Sequence, residues 1–297
     1  MNGIIVINKQ EGFTSFDVVA VVRGILREKK IGHSGTLDPM ATGVLPILIG
    51  RAAKAQSLLP DTDKQYRAGF KLGMTTDTLD ITGKVLSESK AACTKEELLK
   101  VLSHFRGNIM QVPPMYSAVQ KNGVRLYDLA RQGIEVEREA RPVTVDTLEL
   151  ESFDEETQSG TLTISCSKGT YIRVICDDIG KELSCGCVMT SLVRTKACGY
   201  TLDDAVTLKE LEQIKNEDRV SEILRPTDSI FTCFDKINVS EKQAVRFSNG
   251  GGLMLDRLKA LKTKENGRLY RVYGEKEFLG LGVVDLEKNE LSVKKKF

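Results

Sequence analysis

The segment that most restricts the local conformation of this chain is residues 32–46, which read GHSGTLDPMATGVLP. Asp38 precedes Pro39, and a residue before proline is pushed out of the α-helical region, so we expect Asp38 in an extended or turn conformation. Gly35 and Gly43 stand on either side and let the backbone pass close to a ligand. The segment predicts a turn that presents one carboxylate, the group that nucleophilic chemistry at a sugar carbon needs.

Turn statistics alone would make this segment an ordinary surface turn, because Asp-Pro between glycines is common in loops. Further short motifs lie in order along the chain, and together they favour a functional interpretation. They are NKQEGFTS at 8–15, KQYR at 64–67, PPMYSA at 113–118, KGTYIR at 168–173, and Leu-x-Arg followed by glycine within 192–199.

This ordered set resembles the motifs of the pseudouridine synthases, and more narrowly the bacterial enzymes that modify the uridine at position 55 in the T loop of tRNA. Residues 32–46 resemble the family's motif II, and the matches extend over about residues 3–230. Gln10 departs from the pattern, since the family usually has proline there. The resemblance implies that the protein is an isomerase that converts this uridine to pseudouridine.

The resemblance also implies a catalytic group of three residues. Asp38 is the catalytic carboxylate, which attacks C1′ of the sugar, stabilises its charge, or removes the C2′ proton. Tyr66 stacks on the base and is a candidate to take the C5 proton late in the reaction. Arg173, in a stretch that we interpret as a strand, is the guanidinium that favours the charged form of Asp38.

Three further residues are implied in substrate binding. A uridine inside a folded T loop must flip out to be reached. His33 resembles the family's histidine that contacts the target nucleotide and its flipped neighbours. Leu192 would form the apolar wall of the pocket, and Lys9 of the first motif completes the set.

The reaction needs no metal and no organic cofactor. Pseudouridine formation breaks the N1–C1′ bond, turns the uracil and joins C5 to C1′, so nothing is oxidised and nothing leaves. The seven cysteines include no Cys-x-x-Cys pair and no Cys/His set at zinc-ligand spacing. We therefore expect no cofactor.

Capping signals and alternation outline the fold. Threonines at 14, 94 and 207 are each followed three residues later by an acidic residue, which predicts three helix starts. Residues 161–167 alternate between apolar and polar, and 171–175 also read as a strand. Helices and strands without a regular βαβ period predict an α+β protein, and the resemblance makes residues 1–230 a pseudouridine synthase domain built on a mixed sheet.

Two segments point to RNA binding. Residues of about 120–142 are polar and basic and resemble the insertion that clamps the tRNA stem-loop, although a plain surface excursion has the same composition. Residues 231–297 read as a small β-rich domain similar in position to the family's C-terminal PUA-type RNA-binding domain. They carry 14 of the 43 Lys and Arg but only 9 of the 41 Asp and Glu, so the net charge of +2 concentrates there.

Length and hydropathy bound the remaining expectations. The chain has 297 residues, 41% of them hydrophobic, which suits one or two domains with a sizeable core. No apolar run approaches the ~20 residues that cross a bilayer, and the N-terminus lacks the features of a signal peptide. We expect a cytoplasmic monomer without a membrane partner.

Other function classes stay open on the residues alone. An RNA-binding or tRNA-folding factor would use the same surfaces without catalysis. A glycosidase for small nucleosides would usually need two carboxylates across the scissile bond, and the motif supplies one. A guide-dependent synthase is a further alternative, but the basic insertion favours direct binding of the tRNA T stem-loop without a guide RNA.

Overall fold

In a computed structural model, residues 1–59, 64–258, 261, 263–275 and 277–297 are described. The strands in chain order are β1 (Gly3–Lys9), β2 (Ile31–His33), β3 (Thr42–Ile49), β4 (Lys64–Leu72), β5 (Met74–Thr76), β6 (Val85–Glu88), β7 (Gly107–Gln111), β8 (Gln120–Lys121), β9 (Val124–Arg125), β10 (Arg141–Asp154), β11 (Ser159–Cys166), β12 (Cys187–Ala197), β13 (Tyr200–Thr201), β14 (Asp235–Asn238), β15 (Leu253–Met254), β16 (Leu269–Tyr273), β17 (Phe278–Asp285) and β18 (Glu290–Lys296). The α-helices are α1 (Ser15–Leu26), α2 (Lys95–Leu102), α3 (Leu126–Arg131), α4 (Ile172–Glu182), α5 (Leu208–Asn216), α6 (Val220–Ile223) and α7 (Glu241–Ser248).

The larger of two main sheets has the strand order β1-β3-β12-β4-β11-β10-β7, with β2 beside β3 and β13 beside β12. Its pairs are antiparallel except β12 with β3, where Val193 lies opposite Thr42 and Arg194 opposite Gly43. This one parallel contact places the end of the Asp38 loop beside β12. The site is therefore built where strands distant in sequence meet.

Strands β1 and β3 are covered on both faces, which explains why they read as continuous apolar runs. Alternate residues of a strand point to opposite faces. Ile7 and Leu45 lie in the large core with α1, whereas Val6 and Val44 lie in a second cluster with Phe231.

The predicted helix starts are confirmed at all three threonines. The hydroxyl of Thr14 accepts a hydrogen bond from the Asp17 amide, and the Asp17 carboxylate accepts one from the Thr14 amide. The same reciprocal pair is present at Thr94 and at Thr207. The predicted alternation in β11 is also confirmed, because its apolar positions are buried.

The strand predicted at 171–175 is wrong, because α4 begins at Ile172. Ile172, Ile175, Cys176 and Ile179 are buried at the i, i+3, i+4, i+7 spacing of one helix face. The segment read as a strand covers little more than one helical turn, too short to show that period. Arg173 accordingly extends from the first turn of a helix.

The second main sheet, in the order β14-β16-β17-β18-β15, confirms the expectation of a β-rich C-terminal region. It has its own core, which includes Ile237, Phe247, Val272 and Leu291. A boundary at 230/231 and a PUA-type identity stay predictions. Among the described residues, no helix has the length and apolar character required to span a membrane.

Phe231 joins the two regions. Its side chain is fully buried, and its ring centroid lies 5.6 Å from that of Phe297 and 6.4 Å from that of Phe278. The same cluster contains Val44 of β3 and Leu281 of β17. The aromatic side chains of the C-terminal region therefore pack directly on the back of the sheet that carries the site.

Replacing Phe231 with alanine should lower the free energy of unfolding by about 3–5 kcal/mol, because a buried ring is lost and a cavity is left. Urea denaturation measures this change. Val245→Ala, at an exposed position of α7, is the control and should shift the free energy by less than about 0.5 kcal/mol. A loss below about 1 kcal/mol for Phe231→Ala would show that the aromatic cluster does not hold the two regions together.

Candidate active site

Asp38 lies in a turn between β2 and β3, as the sequence predicts. The Ala41 amide donates to the Asp38 carbonyl over 3.0 Å, and the Gly12 amide donates to the Pro39 carbonyl over 2.9 Å. The second bond joins the loop after β1 to the Asp38 turn. Two motifs far apart in sequence thus form one local structure.

Lys9 and Ser15 form hydrogen bonds to the backbone of this turn. Lys9 is fully buried, and its Nζ donates to the carbonyls of Gln10, Phe13 and Pro39 at 3.0, 2.6 and 3.1 Å. Burial lowers the pKa of Lys9 to about 8, and the Asp38 charge opposes that shift. In this structure the Lys9 ammonium binds the backbone beneath Asp38, and a contact between Lys9 and the substrate stays a prediction.

Ser15 makes the second link. Its Oγ accepts a hydrogen bond from the Leu37 amide over 2.8 Å and lies 3.3 Å from the Leu37 carbonyl, to which it can donate. Both residues are buried. The start of α1 is therefore attached to the residue that precedes Asp38.

Arg194 of β12 holds the two ends of the loop together. It is fully buried, and its guanidinium donates to the carbonyls of Val44 at 2.7 Å, Gly35 at 3.2 Å and Thr36 at 3.4 Å. Gly43 has φ +100°, and a Cβ there would lie 2.3 Å from the Arg194 carbonyl oxygen. Only glycine lets the loop approach β12 this closely.

Arg173 of α4 brings its guanidinium to Asp38. Its NH2 lies 3.3 Å from Asp38 Oδ2 and also donates to the Tyr116 carbonyl over 2.6 Å. The opposite nitrogen, NH1, lies 3.7 Å from Asp80 Oδ2. Arg173 therefore bridges two carboxylates, one at the site and one behind it.

Asp80 is the buried member of this arrangement. Its Oδ1 accepts hydrogen bonds from the hydroxyls of Thr78 and Thr82 at 2.8 and 2.6 Å, and from the Thr82 amide at 3.0 Å. Leu79, immediately before it, has φ +65°, a conformation that costs a leucine about 1–2 kcal/mol. Such strain concentrates at functional sites because the surrounding structure must enforce it.

The surroundings raise the pKa of Asp38 above its ordinary value. Burial is the largest cause, the charge of Asp80 adds to it, and Arg173 and Lys9 oppose it. Nevertheless, 35% of the surface of the Asp38 side chain is exposed to solvent. A substrate can therefore reach a carboxylate that is only partly hydrated.

Tyr66 and Leu192 lie in neighbouring strands of the same sheet. Tyr66 of β4 is paired with Arg194 of β12, and burial raises the pKa of its phenol, which stays neutral at neutral pH. Leu192, two residues before Arg194, is also buried and belongs to the same core cluster as Tyr66 and Leu37.

His33 is held at the end of β2. Its Nδ1 accepts a hydrogen bond from the Gly35 amide over 3.2 Å. Burial lowers the pKa of its imidazole, and the positive charge of Arg194 lowers it further. The ring is therefore neutral near pH 7, with its proton on Nε2, where it can donate to a ligand.

A cavity of about 580 Å³ adjoins His33. Lys64, Arg141 and Lys168 line it, and none of the described lining residues is acidic. Such a surface attracts phosphate groups. Within the described residues, no group of three or more His, Cys, Asp or Glu is placed to hold a metal ion.

The structure brings five of the six predicted residues around the Asp38 turn or into the adjoining strands, and places Lys9 under it. Asp80 and the loop contacts of Arg194 were missed. The threonines on both sides of Asp80 were a visible signal, because hydroxyls at i−2 and i+2 can fold back on a carboxylate. The partners of Arg194 had no signal, since they are backbone carbonyls.

Comparisons with known proteins identify the fold and the family. A solved Cbf5–Nop10–Gar1 complex contains a chain that superposes with a TM-score of 0.77 over 99% of this chain and 84% of that one, at 23% identity, a likeness of fold. Residues 23–172 match the model of the TruB family pseudouridylate synthase N-terminal domain, and residues 173–232 match that of the tRNA pseudouridylate synthase B C-terminal domain.

Curated relatives extend the match to nearly the whole chain. The tRNA pseudouridine synthase B of Clostridium perfringens is 46% identical over 290 residues, or 96% of each chain. That of Alkaliphilus oremlandii is 44% identical over 285 residues, 96% of this chain and 93% of its own. The matched domains and these relatives define a pseudouridylate synthase. Within that class, the chain belongs to the TruB family.

Replacing Asp80 with asparagine should lower the pKa of Asp38, because a neighbouring negative charge is removed while the shape is kept. If Asp38 reacts as a carboxylate, the rate falls as the pH drops through the pKa of Asp38. The acid limb of the pH–rate profile of Asp80→Asn should therefore lie at lower pH than that of the wild type. Single-turnover pseudouridine formation against pH measures the shift.

Asp77→Asn is the matched control for this variant. Asp77 lies in the same segment but is exposed, and its Oδ1 accepts from the Lys84 amide. The acid limb of the Asp77→Asn variant should coincide with that of the wild type. An acid limb of Asp80→Asn that stays in place or moves to higher pH would contradict the electrostatic role of Asp80.

Proposed function

We propose that this protein isomerises the uridine at position 55 in the T loop of tRNA to pseudouridine, with Asp38 as the reacting carboxylate. The observation that carries the proposal is the Asp38–Arg173 pair: a partly exposed carboxylate held 3.3 Å from a buried guanidinium, in a turn bound by Lys9 and Arg194. A reacting group needs this fixed position, because misplacement of the order of 1 Å costs much of the rate.

Electrostatics suit Asp38 to chemistry at C1′. As the N1–C1′ bond breaks, the sugar carbon becomes electron-poor, and an ionised carboxylate can attack it, stabilise it, or remove the C2′ proton. Partial burial strengthens the interaction with a developing positive charge. Arg173 keeps the carboxylate ionised when the base enters and excludes water.

The neighbouring residues would hold the base and its strand. Neutral Tyr66 would offer its ring to the uracil and its hydroxyl for proton exchange, and Leu192 would supply apolar surface beside it. His33 can donate from Nε2 to the flipped nucleotide or its neighbours. The cationic cavity next to His33 fits the phosphates of the same strand.

Direct recognition of tRNA by a single chain is part of the proposal. The relatives from Clostridium perfringens and Alkaliphilus oremlandii are tRNA pseudouridine synthases. The segment 120–142 contributes the small β8–β9 hairpin and α3, where Arg125 and Arg131 lie over the Tyr127 ring at 5.7 and 5.4 Å. A partly exposed cationic and aromatic group of this kind suits an RNA stem, and we propose that the enzyme binds tRNA through it without a guide RNA. We further propose that the enzyme acts as a monomer in the cytoplasm.

Asp38→Asn should abolish pseudouridine formation while tRNA affinity stays within a few-fold, because the side-chain shape is kept and the reacting charge is lost. Chemical mapping of pseudouridine on T-loop RNA measures the first and a binding titration the second. Asp203→Asn, at an exposed carboxylate, should behave as the wild type. Product above ~1% of the wild-type rate, from protein free of deamidation, would remove Asp38 from the reaction. A factor that only folds tRNA would show no pseudouridine with any variant.

We also propose that residues 231–297 bind RNA phosphates as a PUA-type domain. Lys294→Gln with Lys295→Gln should then reduce the slope of log affinity against log salt, by roughly 0.9 for each duplex contact removed. Titrations with full tRNA at several salt concentrations measure the slope, and Lys209→Gln on α5 is the control. An unchanged slope would mean that these two lysines do not contact the RNA.

A further inference from the structure

Phe16 is an aromatic side chain that the fold leaves exposed beside the site. It lies in the first turn of α1 and keeps 62% of its surface open to solvent. Its neighbours are fixed, because Ser15 binds Leu37 and Asp17 caps the helix through Thr14. The ring is thus presented from a rigid helix start.

The ring contacts His33. The two ring centroids are 5.5 Å apart and their planes are at 89°, an edge-to-face arrangement. Such a contact orients both rings. It also leaves much of the phenyl surface free, as the exposure of Phe16 shows. His33, by comparison, is buried, with only 6% of its surface exposed.

The position of this pair points to nucleic acid. His33 lines the cavity that Lys64, Arg141 and Lys168 make positive. Phe16 contacts the His33 ring, and its chain neighbour Ser15 is hydrogen-bonded to Leu37, the residue before Asp38. An RNA strand whose phosphates lie along these cations would carry its bases past Phe16 and His33. Cationic grooves with adjacent aromatic side chains are how proteins hold unpaired nucleotides.

We propose that Phe16 is a stacking platform for one base of the substrate RNA, next to the uridine that flips into the site. This inference rests on the proposed function. Flipping removes a base from its stack and exposes a face of its neighbour. A phenyl ring fixed beside His33 can cover that face, and stacking of this kind tolerates any base.

A T-arm hairpin with 2-aminopurine next to the target uridine, on one side or the other, tests the platform. It is titrated into full-length protein carrying Asp38→Asn, so that the RNA is not converted. Stacking should quench the fluorescence of one of the two hairpins on binding. Adding Phe16→Ala should abolish that quench and raise Kd about ten-fold, in line with the loss of one base–aromatic stack.

Conservative variants separate stacking from packing. Phe16→Tyr should keep both the quench and the affinity. Phe16→Leu keeps apolar contact with His33 but has no ring, so it should behave like Phe16→Ala. Leu99→Ala, at an exposed apolar position of α2, should behave like the parent protein, and all variants should unfold at the same denaturant midpoint.

Three results would overturn the inference: no quench with either hairpin in the parent protein, unchanged binding by Phe16→Ala, or full quench and affinity in Phe16→Leu. Failure of the proposed function is a separate result. It would appear as an absence of pseudouridine when wild-type protein turns over the unlabelled hairpin, whereas stacking is measured by binding alone.

Discussion

Two buried cations hold the loop that carries Asp38, and the rest of the site depends on them. Lys9 and Arg194 donate together to six backbone carbonyls on or beside this loop. Hydrogen bonds from charged donors are worth about 1.5–3 kcal/mol each, and a buried carbonyl left without its donor costs a similar amount. The loop therefore has one strongly preferred conformation, and the position of Asp38 follows from it.

The charges around Asp38 act on its pKa in opposite directions. Asp80 and burial raise its pKa, while Arg173 lowers it. Arg173 also lies near Asp80, which is anchored by two threonines. Charges that oppose one another in this way make the ionisation of Asp38 sensitive to small changes in its surroundings.

Much of the architecture could be predicted from local patterns. The capping threonines, the alternation in β11 and the turn before Pro39 depend on residues a few positions apart, so the sequence contains the necessary information. Arg173 shows the limit. Its segment was interpreted as a strand because a run of β-branched residues is ambiguous, and only packing of α4 against the sheet selects the helix.

By itself, the sequence determined the family, because chance does not produce motifs in this order and spacing. The family in turn gave the expectation of one reacting carboxylate. Tertiary structure alone decided what surrounds that carboxylate. Asp80 comes from a distant segment, and both Arg194 and Lys9 donate to backbone carbonyls of the loop. The physical reason is that a pKa, a hydrogen bond and a buried charge depend on distances through space, and sequence spacing does not specify which distant residues will meet.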